Sequence, residues 1–186
     1  MAMHILRHAD LGGRPIVLFG HTPQPGRPLV DVFSLPPARA ATLPLTDGEL
    51  RRGLVVVSTL PNIQRHACVA QIVELEEECA HRFPEVRIAH VSHDDAIHWR
   101  EVDRYHPGIG AASYTLDGAS ESSRVSFTWA FGVGVLGHQR IAHGLFALRE
   151  GVFIAAEIPF DQMHAPDIGG FLGALDTALA EVRPCE

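Results

Sequence analysis

The sequence predicts an α/β sandwich: a central mixed β-sheet with helices on its faces. Three observations carry that expectation. Leu54-Val-Val-Val-Ser-Thr-Leu60 is a continuous, β-branched apolar run that passes through Pro61 into a stretch of helical periodicity, and Val86–Val91 follows as a second such run. Runs without alternation suit strands buried on both faces, which requires helices on both sides. Near the end of the chain, Ile141–Leu148 and Val152–Ile158 flank Arg149-Glu150-Gly151, a hairpin with glycine in its turn. Strands alternating with helices and closed by an antiparallel pair make a mixed sheet.

Taken in order, residues 1–33 read as short extended pieces. Ile16–Phe19 is a strand, with Leu11-Gly12-Gly13-Arg14 as the turn before it. Pro23, Pro25 and Pro28 exclude helix beyond it, and residues 36–49 read as a connecting loop. From about Ala67 to Phe83 the apolar period becomes helical: Cys68, Ile72, Leu75, Cys79 and Phe83 form one stripe, with Glu74 and Glu76–Glu78 off it, and Pro84 stops the helix. A polar, His-rich loop or short helix runs from Val91 to about Tyr105. A third strand at Ala111–Leu116 and a short helix at Glu121–Phe131 come next. The last helix spans Asp167–Val182, with Asp167 as N-cap and Ile168, Phe171, Leu172, Leu175 and Leu179 at helical spacing.

The 186 residues suit one domain, 1–186, with a sizeable core. Apolar residues make up 46% and charged residues 20%, the balance of an ordinary globular protein. The net charge is −7 and no Lys/Arg block occurs, which argues against nucleic-acid or anionic-membrane partners. No stretch approaches a membrane span, and the first residues lack the apolar run of a signal peptide, so a cytoplasmic location is expected. Three cysteines do not suggest a disulfide framework and leave at least one thiol free.

Cys68 is the thiol in the most reactive setting. A buried strand ends at Leu60, the chain turns through Pro61-Asn62, and a helix begins with Cys68 in its first turn. Unsatisfied N–H groups and the helix dipole favour negative charge there, and Arg65 and His66 are near enough in sequence to lower the thiol pKa further. Cys68 also lies on the apolar stripe, where free cysteine is often only a small hydrophobe. Location and charge leave the reactive and structural readings balanced.

From about residue 12 to residue 182 the chain resembles the thiol peroxidase subfamily of the peroxiredoxins. Gly13-Arg14-Pro15-Ile16-Val17 with Pro23-Gln24-Pro25-Gly26 is similar to that family's N-terminal hairpin and entry loop. Pro61-Asn62-Ile63 followed by Cys68 has the spacing of its active-site loop, and Phe131-Gly132-Val133 resembles the segment before its final hairpin. The resemblance implies a thioredoxin-like sandwich with an N-terminal hairpin, Cys68 as the peroxidatic sulfur and Pro61 shielding the pocket. It also implies a homodimer and no prosthetic group or metal. The family's threonine three positions before the cysteine is Arg65 here, and its arginine at the start of the final hairpin is His143. Arg65 would then supply the lost cation, with His143 as hydrogen-bond donor to the departing oxygen.

The remaining candidates divide by spacing. Cys79 lies eleven residues beyond Cys68, about 16 Å along one helix, too far for a disulfide, and fits core packing. Asp103 stands near the family's resolving-cysteine position, and Cys185 lies on the C-terminal tail. A one-cysteine cycle is therefore expected, in which peroxide oxidises Cys68 to a sulfenic acid and thioredoxin or a small thiol restores it. The alternative is a non-catalytic thioredoxin-fold protein acting as redox sensor or interaction module. Among twelve histidines, His90, His93 and His98 with Asp94 and Asp95 form the densest cluster of potential metal ligands, in a spacing that fits a solvated loop better than a metal site.

Overall fold

The computed structural model describes residues 6–181. The chain opens on a hairpin, β1 (Arg7–Asp10) and β2 (Pro15–Phe19), paired from Arg7↔Leu18 to Asp10↔Pro15. The Asp10 carboxylate accepts the Gly13 N–H in the turn at 2.8 Å. The expected loop over residues 36–49 instead holds structure. β3 (Ser34–Leu35) pairs with β5 (Leu45–Thr46), β4 (Pro37–Arg39) joins the main sheet, and a single turn, α1 (Asp47–Leu50), is capped by Thr46. β4 is an edge strand with a register shift between Pro37 and Arg39, which is how a strand starting on proline is accommodated. What holds it is tertiary: the Arg39 guanidinium bonds to Asp103 at 2.6 Å and to the Ala111 carbonyl at 2.9 Å.

β6 (Leu54–Thr59), α2 (His66–Arg82) and β7 (Arg87–Ser92) then follow close to their predicted spans. The ambiguous His-rich segment resolves into a helix, α3 (Ala96–Tyr105), because Asp95 caps it by accepting the Ile97 and His98 N–H groups and Trp99 and Val102 are buried beneath it. β8 (Ala112–Thr115), α4 (Glu121–Phe131) and β9 (Gly134–Val135) come next, then the hairpin β10 (Gly144–Arg149) and β11 (Val152–Glu157), and finally α5 (Ile168–Glu181). Asp167 accepts the Gly170 N–H at 2.9 Å at the start of α5.

The main sheet has six strands in the order β11-β10-β6-β7-β8-β4. β6, β7 and β8 are parallel, and the antiparallel β10–β11 pair and β4 flank them. Alternate side chains of β6 explain its unbroken apolar run. Val55 and Val57 face α4 and the aromatic cluster of Phe127, Phe131, Phe146 and Phe153, whereas Val56 faces α2 and α5. A third cluster, built from Leu60, Ile63, Cys68, Ile72 and Trp99, sits between α2 and α3. β1, β2 and β9 form a separate three-stranded sheet. No described helix is long and apolar enough to cross a membrane.

Gly132 ends α4 in the left-handed conformation, at φ +64°. Its N–H returns to the last turn of the helix, and Arg7 donates to its carbonyl, tying the N-terminal hairpin to α4. A Cβ here would overlap the His21 carbonyl oxygen. Gly132→Ala therefore combines about 1–2 kcal/mol of left-handed strain with a backbone clash. A total loss of about 2 kcal/mol or more is expected in the urea-unfolding free energy.

Candidate active site

The site lies where β6 ends. After Leu60, Asn62 organises the turn: its side-chain oxygen accepts the Gln64 N–H and its carbonyl accepts the Arg65 N–H, each at 3.0 Å. Arg65 occupies the N-cap of α2 with no side-chain cap bond, and Cys68 falls in the first turn behind it. Cys68 is fully buried against Leu60, Ile63, Ile72 and Trp99. The chain returns to the same point through His143, which directly precedes β10, whose first residue Gly144 pairs with Thr59 of β6. The Cys68 sulfur and His143 Nε2 are 3.7 Å apart.

Four glutamine and hydroxyl side chains, Gln71, Gln162, Ser58 and Thr59, complete a buried polar network around this contact. Gln71 Oε1 lies 2.6 Å from His143 Nδ1. Gln71 Nε2 donates to Ser58 Oγ at 2.9 Å, with the Gly144 and Thr59 carbonyls at 3.3 and 3.4 Å. Gln162 accepts the His143 backbone N–H and donates to the Pro159 carbonyl, both at 2.6 Å. Thr59 Oγ1 donates to the Ala142 carbonyl at 2.9 Å. Buried polar groups are costly unless satisfied, and here each bond of one residue holds the next in place.

A cavity of about 290 Å³ lies beside the segments that carry the pair, walled by Pro61, Asn62, Arg65, Arg140, Ala142 and Gln162, while Cys68 and His143 themselves stay buried behind its lining. Two guanidinium groups stand at it. Arg140 bonds to the buried Asp94 carboxylate at 2.7 Å and to the Pro61 carbonyl at 3.1 Å. Asp94 in turn accepts the Ile63 N–H at 3.0 Å, which fixes the turn ahead of Cys68. Arg65 is exposed and lies 3.5 Å from the Met163 sulfur.

The electrostatics correct one expectation. A helix start with Arg65 and His66 nearby predicts a lowered thiol pKa, yet burial pushes the Cys68 thiol up to about 12. A bond from the Asn62 N–H and the charges of Arg65 and Arg140 pull it down, and Asp94 pushes it up; desolvation exceeds all of them. His66 does not contribute to the thiol; it is exposed, in a surface hollow with His98 and His106. His143 moves the opposite way, down to about 4, through burial and then the charge of Arg65. Both partners are therefore neutral at neutral pH, an S–H facing an uncharged imidazole.

Of the residues singled out in the sequence, the structure brings Cys68 and His143 together and sets Pro61 and Arg65 on the neighbouring cavity wall. Cys79 is buried in a different cluster, with Val56, Leu75 and Phe83. Asp103 pairs with Arg39. Cys185 lies outside the described residues. The His/Asp cluster disperses: His90 is buried in β7 against Glu76 at 3.2 Å, Asp94 turns to Arg140, and Asp95 and His98 pair at the start of α3. Among the described residues no group of three His, Cys, Asp or Glu side chains is arranged to hold a metal. Gln71, Arg140 and Gln162 were not anticipated. Gln71 did carry a signal, as a polar residue one position before Ile72 on the apolar stripe and three beyond Cys68.

No protein-family model and no curated protein matches the chain by sequence. Solved structures do. A peroxiredoxin-like protein from Aquifex aeolicus superposes with a TM-score of 0.72 at 15% identity, covering 94% of this chain and 99% of that one. A thiol peroxidase from Chromobacterium violaceum gives 0.74 at 13% identity, covering 92% and 97%. AhpC from Enterococcus faecalis gives 0.69 at 15% identity, covering 89% and 100%. The fold is thus the thioredoxin-like sandwich of the peroxiredoxins, complete over nearly the whole chain.

A thiol titrating near 12 is protonated at pH 8, so iodoacetamide should modify Cys68 at least about a hundredfold more slowly than a free cysteine. Because the shift is upward, the rate is expected to keep rising above pH 9, where an ordinary thiol has levelled off. Mass mapping of the modified peptide across pH 7–11, with the urea-unfolded protein as reference, measures it.

Proposed function

We propose that the chain is a thiol-dependent peroxidase in which Cys68 attacks the peroxide and His143 takes its proton. The observation that carries this reading is the 3.7 Å approach of the Cys68 sulfur to His143 Nε2 inside a satisfied polar network. Core packing alone would not require an imidazole, two glutamines and a threonine around a small apolar side chain.

A neutral pair assigns the proton a path. As the sulfur attacks one peroxide oxygen, an S–O bond forms and the O–O bond breaks, with its electron pair leaving on the other oxygen. The thiol proton passes to His143 Nε2 and from there to the departing oxygen, which leaves as water or alcohol. Cys68 is left as a sulfenic acid. One external thiol converts it to a mixed disulfide with loss of water, and a second thiol releases the reduced enzyme. Hydrogen peroxide or a small organic hydroperoxide is the substrate class, small enough for the cavity beside Pro61, Ala142 and Gln162, and thioredoxin or a small thiol is the reductant. Cys79 is held in another part of the core and Asp103 is ion-paired, which supports a one-cysteine cycle. Arg65 and Arg140 favour the charge that develops on the leaving oxygen. A homodimer, implied by the sequence resemblance, belongs to the same reading.

A second reading has its own support. Cys68 has no exposed surface and its thiol is pushed up to about 12, which favours a non-catalytic protein acting as a slow redox sensor or an interaction module.

Peroxide consumption with dithiothreitol as reductant separates the two. Wild type should turn over, Cys68→Ser should be at background, and His143→Gln should lose about a hundredfold, the usual weight of a positioned acid–base group. Equal rates for wild type and Cys68→Ser sink the peroxidase reading. Oxidation that stops after one equivalent and is confined to Cys68 favours the sensor.

A further inference from the structure

We propose that Gln71 is a positioning residue, which holds His143 as the Nδ1–H tautomer and so makes it a proton acceptor, not a donor, toward Cys68. The assignment rests on the peroxidase reading for its purpose but on bonding alone for its geometry. It adds an acceptor step toward Cys68 ahead of the donor role toward the departing oxygen that the sequence suggests for His143.

A neutral imidazole carries one ring proton, and either nitrogen can hold it. In this site the choice is made by Gln71. Its Nε2 faces the Thr59 and Gly144 carbonyl oxygens, which have no proton to give, and Ser58 Oγ. Flipping the amide would set Oε1 against those two carbonyls, so Oε1 stays toward His143. That oxygen only accepts, and at 2.6 Å from Nδ1 it requires the ring proton to be there. The opposite tautomer would oppose two lone pairs at that distance in a fully buried setting. Nε2 is then left with its lone pair directed at the Cys68 sulfur, 3.7 Å away.

The placement follows from the fold. Gln71 lies three residues after Cys68 on α2, so one helix face presents both the thiol and the group that orients its base. The carbonyls that pin the Gln71 amide come from the ends of β6 and β10, where Gly144 and Thr59 are paired. A second glutamine, Gln162, holds the His143 backbone from the opposite side. The imidazole is thus fixed at its main chain and at Nδ1, with Nε2 left for chemistry.

Protein labelled with ¹⁵N-histidine tests the assignment at neutral pH, through the long-range ¹H–¹⁵N pattern that distinguishes the two tautomers. The His143 signals are identified by their absence in His143→Gln. Wild type should show the Nδ1–H pattern. Gln71→Met should shift it to a mixture or to Nε2–H, and Gln71→Glu, which keeps an acceptor oxygen, should retain it. Oxidation of Cys68 by peroxide should slow at least about tenfold in Gln71→Met and recover in Gln71→Glu. An Nε2–H wild type, or an unchanged Nδ1–H pattern in Gln71→Met, overturns the proposal. Should Gln71→Met not fold, the wild-type pattern still decides. If the tautomers behave as stated while peroxide leaves Cys68 untouched in every protein, Gln71 orients His143 and the peroxidase reading alone fails.

Discussion

Desolvation at the end of β6 governs the site. Cys68 and His143 are both removed from water, and each is thereby held in its uncharged form. In a wetter setting the helix start and two nearby guanidinium groups would favour a thiolate. Here their pull is smaller than the cost of burying the charge. A neutral thiol beside a neutral base needs no counter-charge in the interior, which is compatible with the apolar cluster of Leu60, Ile63, Ile72 and Trp99 that encloses it. The proton is retained until a reaction creates a place for it.

The fold supplies that contact from three directions. β6 ends in Ser58 and Thr59, whose polar atoms anchor Gln71 and the Ala142 carbonyl. α2 brings Cys68 and Gln71 on one face, and the entry to β10 brings His143. The turn between β6 and α2 is braced separately: Asp94 accepts the Ile63 N–H and pairs with Arg140, which also holds the Pro61 carbonyl. Arg140 thus links the segment before β10 to the turn before Cys68. Arg140 therefore holds the turn as well as lining the cavity wall, where the exposed Arg65 is the second cation.

Much of this was legible in the sequence where a local pattern existed. The unbroken run of β6, the stripe of α2 and the glycine turn between β10 and β11 each have a physical period or turn chemistry, and each element forms close to its expected span. β4 was not legible because its place depends on Arg39 reaching Asp103 and carbonyls far along the chain. The same limit applied at the site. The Cys68 position followed from the strand–turn–helix junction, and His143 from the resemblance. Gln71, Gln162 and Arg140 act through contacts between distant segments, so only the polar break that Gln71 makes in an apolar stripe hinted at any of them. The direction of the thiol shift was misjudged for a related reason: sequence displays the charges near a residue but not how completely it is buried.

For the proposed peroxidase reading, the protonation state of Cys68 separates attack by a preformed thiolate from attack that must pass a proton to His143. Infrared difference spectroscopy of wild type against Cys68→Ser at pH 7 reads it directly through the S–H stretch. A band belonging to Cys68, shifted by hydrogen bonding and altered in His143→Gln, is the predicted result. Absence of that band, together with an ultraviolet thiolate absorbance lost in Cys68→Ser, would contradict it.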